Sequence, residues 1–169
     1  NMIEATAQYT GTFNSVGVVA APMLVVGEGV NDGTDETRAF TAWGLGAQAM
    51  YAGFTLGASY VDAGHYNTLK GENMTDDQDV FTVGLKYEFD KVGVAANYMN
   101  GEGYYDLAGV SSTDMSYVDN FSAIGLGATY TWFPGLTTAA DAVFFDQNVK
   151  ETGENNIGHV LMLSQKMTF

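Results

Sequence analysis

The sequence is poor in several residue types that particular functions require. Its 169 residues contain no cysteine, which excludes a disulfide framework, thiol catalysis and a thiolate metal site. Only 6 lysine and arginine residues stand against 20 aspartate and glutamate residues, so the formal net charge at pH 7 is −14. A chain this acidic cannot neutralise a run of phosphates, and nucleic acid is therefore excluded as a partner.

Proline and long apolar runs are also scarce. Proline occurs twice, and Pro22 interrupts the longest nearly apolar stretch, residues 16–27. A membrane-spanning helix needs about 20 apolar residues, so the sequence predicts none. The mean hydropathy of −0.02 does not separate a water-soluble protein from a membrane β-barrel, because alternating strands average to neutral hydropathy. The first residues lack a basic segment followed by an apolar one, so we expect a processed or truncated chain with one domain.

Glycine and aromatic residues, by contrast, are abundant. Glycine accounts for 21 residues and aromatic residues for 13% of the chain. This content is too aromatic and too apolar for intrinsic disorder. It predicts a β-rich chain with many tight turns.

Apolar and polar residues alternate along most of the sequence. The clearest window is residues 80–90, where five apolar residues share one parity: Phe81, Val83, Leu85, Tyr87 and Phe89. Successive side chains of a strand point to opposite faces, so one face is apolar and the other polar, which no helix matches. Similar strands are predicted at residues 3–13, 38–51, 54–61, 92–99, 121–132, 136–146 and 157–169. Residues 16–27, which are apolar on both parities, bring the number of predicted strands to nine.

The connections between the predicted strands alternate in length. Short turns are predicted at residues 14–15, 52–53, 90–91 and 134–135, and long loops at 28–37, 62–79, 100–120 and 147–156. An up-and-down meander places all short turns at one end, as in outer-membrane barrels, whereas a Greek-key sandwich has no reason to do so. The long loops contain 15 of the 20 acidic residues, so we expect one end of the molecule to be strongly negative.

The chain ends in an aromatic residue that follows alternating apolar residues. Phe169 is preceded at this spacing by Met167, Leu163 and Leu161, while polar Gln165 departs from the alternation. This ending resembles the assembly signal of bacterial outer-membrane barrels. With the strand pattern, the whole chain resembles the C-terminal part of a general diffusion porin of Gram-negative bacteria, most closely the alphaproteobacterial type. We expect Gln165 to face either a neighbouring subunit or the lumen.

The resemblance implies an all-β, antiparallel up-and-down transmembrane β-barrel in the bacterial outer membrane. Residues 1–169 would form a single β-barrel region, the C-terminal portion of a porin. Nine strands do not close such a barrel, and the simplest account is that they are the last nine of about sixteen. The resemblance also implies a homotrimer in contact with outer-membrane lipid and lipopolysaccharide.

The polar faces of the predicted strands would line the water-filled channel of such a porin. The predicted pore-lining residues are Glu4, Gln8, Arg38, Gln48, Lys86, Glu88, Asn97, Asp141 and Lys166. Charges of both signs on facing walls sort solutes by charge, and the acidic loops predict a mild cation preference. Passive diffusion of small hydrophilic solutes makes and breaks no bond, so we expect neither enzymatic activity nor a cofactor.

Two other interpretations stay open from the sequence. The polar face could be the solvated outer face of a soluble sheet. The chain could also form a small closed outer-membrane barrel, or an extracellular β-domain with a structural or adhesive role through its acidic loops. The glycines of the polar parity argue against a small closed barrel, because side chains must fill an eight-stranded interior.

Three further patterns could carry chemistry, and each has a simpler interpretation. Two groups of loop carboxylates could bind Ca²⁺ weakly, although neither matches the twelve-residue calcium loop: Asp32, Asp35 and Glu36, and Asp76, Asp77 and Asp79. The only histidines, His65 and His159, are better explained as rim or surface residues than as ligands or catalysts. The glycine pairs at residues 44–46 and 125–127 lack the third glycine of a dinucleotide-binding loop.

Overall fold

A computed structural model of the chain describes residues 1–29, 39–64, 78–102, 118–149 and 154–168. These residues form ten β-strands. The strands are β1 (Met2–Thr6), β2 (Tyr9–Phe13), β3 (Val16–Gly27), β4 (Phe40–Tyr51), β5 (Phe54–Gly64), β6 (Gln78–Phe89), β7 (Val92–Glu102), β8 (Val118–Phe133), β9 (Leu136–Val149) and β10 (Glu154–Met167). Within these ranges, no helix is long and apolar enough to cross a membrane.

The strands form one antiparallel sheet in which sequence neighbours pair, as an up-and-down meander requires. The predicted strand at residues 3–13 is divided into β1 and β2, and both pair with β3 in a single register, with Met2 opposite Gly27 and Tyr9 opposite Ala20. The interruption lies opposite Pro22, which has no N–H to donate to the ladder. The nine predicted strand positions are therefore confirmed, and the tenth strand results from this local break.

Two-residue turns connect the strands at residues 14–15, 52–53, 90–91 and 134–135, as predicted. Asn14 and Ser15 both have positive φ, 46° and 72°, a geometry whose twist matches that of the flanking strands. Gly135 follows a proline and has a φ of 98°, which is typical of a type II turn. Because consecutive strands are antiparallel, all four turns lie at the same end of the sheet.

Several strands extend further towards the opposite end than the sequence predicts. Their extensions fall inside segments expected to be loops, because ladder hydrogen bonds join backbone groups and need no apolar side chain. The hydropathy alternation therefore ends before the strand does. Five acidic residues expected in loops belong to strands instead: Asp62, Asp79, Glu102, Asp119 and Glu154.

The side chains on the apolar face of the strands are exposed and do not form a protein core. In β6, Phe81, Leu85 and Phe89 are 43%, 48% and 51% exposed. Over the described ranges, only Ala42 and Ala123 are buried apolar residues. A soluble sandwich would bury this face against a second layer, so the sheet has the reversed arrangement of a membrane barrel.

Aromatic side chains form two bands on this apolar face. Near the short turns, the ring centroids of Phe54 and Tyr87 lie 4.2 Å apart, and those of Tyr87 and Phe89 lie 5.5 Å apart. Nearer the other end, the rings of Trp43 and Tyr60 lie 5.4 Å apart. Along β5, Phe54 and Tyr60 are separated by about 20 Å at the usual strand rise. Two aromatic bands with aliphatic residues between them are typical of a surface that crosses a bilayer.

Candidate functional site

The polar parity of the strands lies on the concave side of the sheet. The cross-strand register places Lys86 opposite Ala95 and Asn97 opposite Gly125, so the predicted polar faces share one surface. This surface borders an open cavity of about 660 Å³, lined by strands β3 to β9 and by Gln8 between β1 and β2. A single cavity bounded by so many neighbouring strands requires the sheet to curve towards its polar face.

Most of the residues predicted to line a pore lie on this concave side. They are Glu4, Gln8, Gln48, Lys86, Glu88, Asn97, Asp141 and Lys166. Arg38, the remaining one, is outside the described residues. Gln48 and Asn97 line the cavity at the middle of the sheet, whereas Lys86, Glu88 and Lys166 lie closer to the short turns. The neutral and the charged residues therefore occupy different levels of the wall.

The charged residues of the concave wall include both signs. Lys86 Nζ lies 2.8 Å from Glu88 Oε1, because residues two apart on a strand share a face. Asp141 leans over β8, where a Cβ built at Gly127 would be 2.7 Å from the Asp141 Oδ1 atom. Glu4 adds a further negative charge and Lys166 a further positive one, so the net charge of the described wall is close to zero.

Glycines on β8 make room for polar side chains from the neighbouring strands. The Asn97 carboxamide occupies the space that a Cβ of Gly125 would need, and Asp141 does the same at Gly127. Both side chains therefore lean along the wall, over β8. The sequence predicted small residues here, but nothing in it identified the side chains that cover them.

Apolar residues also lie on the concave face, and two of these groups fall where the alternation gave no orientation. On β3, Val19 and Met23 lie on this side, opposite Gln48 and Gly44. On β8 and β9, the rings of Phe121 and Phe145 stack with centroids 6.4 Å apart. Residues 16–27 are apolar on both parities, and Phe145 directly follows another phenylalanine, so neither segment carried a signal for its orientation.

Three carboxylates at the end opposite the short turns, Asp62, Asp79 and Glu102, face outward, away from the cavity. Asp62 lies opposite Asp79, and Asp79 lies opposite Glu102, all on the apolar parity. Like charges at opposed positions repel, and within the described ranges no three acidic or histidine side chains are arranged to hold a metal ion. The other carboxylates of the predicted calcium groups lie outside the described residues: Asp32, Asp35, Glu36, Asp76 and Asp77.

The residues of the predicted assembly signal that are described lie on the outward face of β10. They are Leu161, Leu163 and Met167, and all three are exposed. Phe169 lies outside the described residues. Their position on the lipid-facing side of the strand is compatible with the predicted signal.

Gln165 also faces outward, so the expectation that it might face the lumen is excluded. Its Nε2 atom lies 3.5 Å from Thr138 Oγ1, which also accepts a hydrogen bond of 3.0 Å from Trp132 Nε1. These groups lie near the short turns, at the level of an aromatic band. Polar groups are tolerated at that level because the membrane interface is hydrated.

Of the two histidines, only His159 lies in the described residues. It is exposed on the outward parity of β10, and its ring centroid is 6.4 Å from that of Phe144. This placement agrees with a surface residue. His65 lies in a segment outside the described residues.

Comparison with known proteins gives a family match and similar solved structures. The family model described as Gram-negative porin matches residues 1–150. The chain is similar to OmpT, an outer membrane protein of Vibrio cholerae, with a TM-score of 0.60 and 16% identity over 98% of this chain and 55% of that chain. A loop L8 deletion mutant of OmpT gives a TM-score of 0.58 and 15% identity, over 98% of this chain and 53% of that one. No curated protein gives a significant match.

The chain thus spans about half the length of these solved structures. At such low sequence identity the structural likeness shows the fold alone, which is an antiparallel barrel wall. The family match covers 150 of the 169 residues, and the exposed apolar face agrees with it independently. The chain belongs to the Gram-negative porin family and is a β-barrel protein of the bacterial outer membrane.

Proposed function

We propose that the intact protein forms a water-filled channel for the passive diffusion of small hydrophilic solutes and ions, and that this chain supplies part of the channel wall. One observation carries the proposal: large apolar side chains are exposed on the convex side, while the concave side carries the charged and carboxamide residues and several glycines among its apolar residues. Lipid solvates the first kind of surface and water the second. Diffusion needs no catalytic residue and no cofactor.

The open edges of the sheet support a larger barrel. In the described part of the chain, β1 and β10 each have one edge with no partner, and a bilayer does not tolerate unpaired backbone groups. Strands β2 and β10 both run towards the end of the sheet that carries the short turns. β2 leads directly into the turn at 14–15, and just after β10 Thr168 N donates to Gly135 O, in the turn at 134–135, at 2.8 Å. An antiparallel barrel can join two such strands only through an odd number of further strands. Seven would complete a barrel of about sixteen.

The proposal includes a mild preference for cations. The chain has a net charge of −14, but the described concave wall is nearly balanced, and Asp62, Asp79 and Glu102 face outward. The preference would therefore come from carboxylates of the connecting segments at the mouth. Exposed charges are screened beyond about 10 Å at 0.1 M salt, so the preference should weaken as the salt concentration rises.

Reversal potentials of the intact protein in planar bilayers test these statements separately. Under a KCl gradient at low salt, we expect K⁺ to permeate more readily than Cl⁻, and we expect the permeability ratio to approach one at high salt. Absence of any ionic conductance would reject the channel. Anion preference at low salt, or a preference that salt does not change, would reject only the charged mouth.

We also propose that the intact protein is a homotrimer surrounded by outer-membrane lipid and lipopolysaccharide. Native mass spectrometry from detergent should give the mass of three chains, and added lipopolysaccharide should remain bound to that species. A single-chain mass over a range of mild detergents would contradict the trimer without affecting the channel proposal.

A further inference from the structure

We propose that the concave wall binds amphiphilic organic cations, through an apolar surface with a carboxylate at its edge. We call this surface the apolar site. It consists of six residues on the concave side of the last three strands: Phe121 on β8, Asp141, Val143 and Phe145 on β9, and Val160 and Met162 on β10. The inference rests on the channel function proposed above and adds a class of solute that the wall retains.

The apolar site lies at one end of an apolar belt that crosses the concave wall. The pairing register joins six residues of β3 to β8 in one row, each opposite the next: Met23, Gly44, Val61, Val80, Gly101 and Phe121. No side chain of this row carries a charge or a strong hydrogen-bonding group. Contiguous apolar surface that faces water is unfavourable and marks a binding site in many proteins. The apolar belt therefore points to an occupant with an apolar part.

Two phenylalanine rings and several aliphatic side chains form the surface of the apolar site. The rings of Phe121 and Phe145 are nearly parallel, with an interplanar angle of 21° and centroids 6.4 Å apart. The Phe145 ring occupies the space that a Cβ of Gly158 would need, so it leans along the wall over β10. Val160 and Met162, on that strand, are 45% and 50% exposed. An alkyl chain or a ring of a solute can therefore lie against this surface.

Asp141 places a negative charge at the edge of the apolar site. It lies two residues before Val143 on the same face of β9, about 7 Å away at the usual strand rise. Its carboxylate leans over Gly127 of β8, and Phe145 lies about 13 Å further along β9 than Asp141. A solute lying along β9 can therefore place a charged head group at Asp141 and its apolar part over Val143 and Phe145.

The charges near the apolar site favour a cation over an anion. Lys166 lies opposite the residue four positions before Asp141, about 13 Å from it along the strand. Lys86 is paired with Glu88 at 2.8 Å near the short turns. At the other end of the apolar belt, the charged residue on β1 is again acidic, Glu4. A cationic head group would be attracted to Asp141, whereas an anion would be repelled there without a nearby lysine to compensate.

Block of ion conductance by a matched set of organic ions tests the apolar site in the intact protein. In planar bilayers in KCl, we expect hexyltrimethylammonium to lower the conductance saturably. Tetramethylammonium has the same head group without the chain, and its half-blocking concentration should be about tenfold higher or more, because it buries no methylene groups. Hexanesulfonate has the same chain with the opposite charge, and its half-blocking concentration should also be about tenfold higher or more. Bilayers without protein show any effect of these ions on the lipid itself.

Substitutions that keep the side-chain shape separate the apolar contribution from the charged one. The double variant Val143→Thr, Val160→Thr replaces two methyl groups with hydroxyl groups, keeps β-branched residues that suit a strand, and should raise the half-blocking concentration of hexyltrimethylammonium about fivefold or more. Val19→Thr makes the same change on the concave side of β3, opposite Gln48, and should leave the block unchanged. Asp141→Asn removes the charge, so it should weaken the block by hexyltrimethylammonium and strengthen that by hexanesulfonate.

The possible results separate this inference from the proposed function. A protein that conducts ions but is not blocked by hexyltrimethylammonium would overturn the apolar site alone. Equal block in wild type, the double variant and Asp141→Asn would also overturn it. So would protection of Val143→Cys from a water-soluble thiol reagent, which would mean that another segment of the intact protein covers the site. A protein that conducts no ions would reject both proposals. If the double variant fails to fold, as judged by heat-modifiable migration in electrophoresis, the opposite shifts expected for Asp141→Asn decide the question.

Discussion

The two faces of the sheet use the same backbone in opposite ways. On β6, Phe81 and Leu85 are exposed on the convex side, while Thr82 and Gly84 line the cavity between them. A soluble sheet would cover its apolar side with a second layer, but here almost no described apolar residue is buried. Because no second layer covers the apolar face, this sheet depends on its hydrogen-bond ladder and on lipid contact for stability. Its inner face is thereby free to carry glycine and polar residues.

A charge placed on the convex face should have the largest effect. Leu85→Arg puts a guanidinium between the two aromatic bands, near the bilayer midplane, and should cost about 2–4 kcal/mol of folding free energy in lipid vesicles. The neighbouring Thr82→Arg places the same charge on the concave side, where water solvates it. It should fold normally and lower the conductance. Denaturant titration in vesicles and single-channel recording measure the two effects, and equal destabilisation would contradict the assignment of faces.

Adding a side chain at two glycines of the same hairpin should destabilise the protein at the turn but not on the concave wall. Gly53 has a φ of 85°, and a Cβ there would lie 2.5 Å from the Glu88 backbone oxygen. Gly53→Val should therefore cost about 1–3 kcal/mol. Gly57→Val, four residues further on and on the open concave face, should change the folding free energy by less than about 0.5 kcal/mol, because a Cβ there would meet only a backbone oxygen at 3.7 Å. A larger loss at Gly57 than at Gly53 would show that the concave face is more tightly packed than its glycine contacts indicate.

Replacing an aromatic residue on the convex face should cost more folding free energy than replacing one on the concave face, although this difference is smaller than the preceding ones. Tyr87 stacks on both Phe54 and Phe89 in the band near the short turns, so Tyr87→Leu should cost about 0.5–1.5 kcal/mol beyond its loss of apolar area. Phe145→Leu on the concave face loses one looser contact and should cost less. Denaturant titrations of both variants in vesicles of one lipid composition give the comparison. A greater loss for Phe145→Leu would place the stabilising aromatic contacts inside the barrel.

The charged pair on the concave wall should have the smallest effect on stability. Both side chains of Lys86 and Glu88 are roughly half exposed, so Lys86→Gln or Glu88→Gln should change the folding free energy by less than about 1 kcal/mol. The two variants should shift the K⁺/Cl⁻ permeability ratio in opposite directions, upward for Lys86→Gln and downward for Glu88→Gln. Shifts of the same sign would mean that the pair does not face the permeation path.

The sequence predicted the strands well where side chains alternate and poorly where they do not. The alternation on β6 and the two-residue turns predicted strand, parity and hairpin together, because each depends on local backbone geometry. Strand ends were predicted too early at residues 62–64 and 100–102, since polar residues can continue a ladder without any hydropathy signal. Pro22 marked a break, but its partner across the sheet was not apparent from the sequence.

The candidate site was predicted only as a set of residues on one parity. The sequence placed Gln48 and Asn97 on the polar face but gave no indication that both flank the same pair of glycines. That relation depends on the register of three strand pairs, of which two are joined by two-residue turns and the third, β5 with β6, by a long connection. The outward direction of Asp62 and Asp79 was missed for the same reason, because a charge count over loops carries no information about which side of the wall each residue faces.

By itself the sequence determined the class of the protein: all-β, antiparallel, with one apolar and one polar face and turns at alternating intervals. These properties follow from side-chain period and turn chemistry, which are local. Only the tertiary structure decided which face is concave, which residues meet across strands, and where the wall is neutral or charged. Curvature and register arise from pairing between strands that can be distant in sequence, and no local pattern encodes them. The concave wall is open beside Gly57 and Gly84 because β5 and β6 place two glycines directly opposite each other.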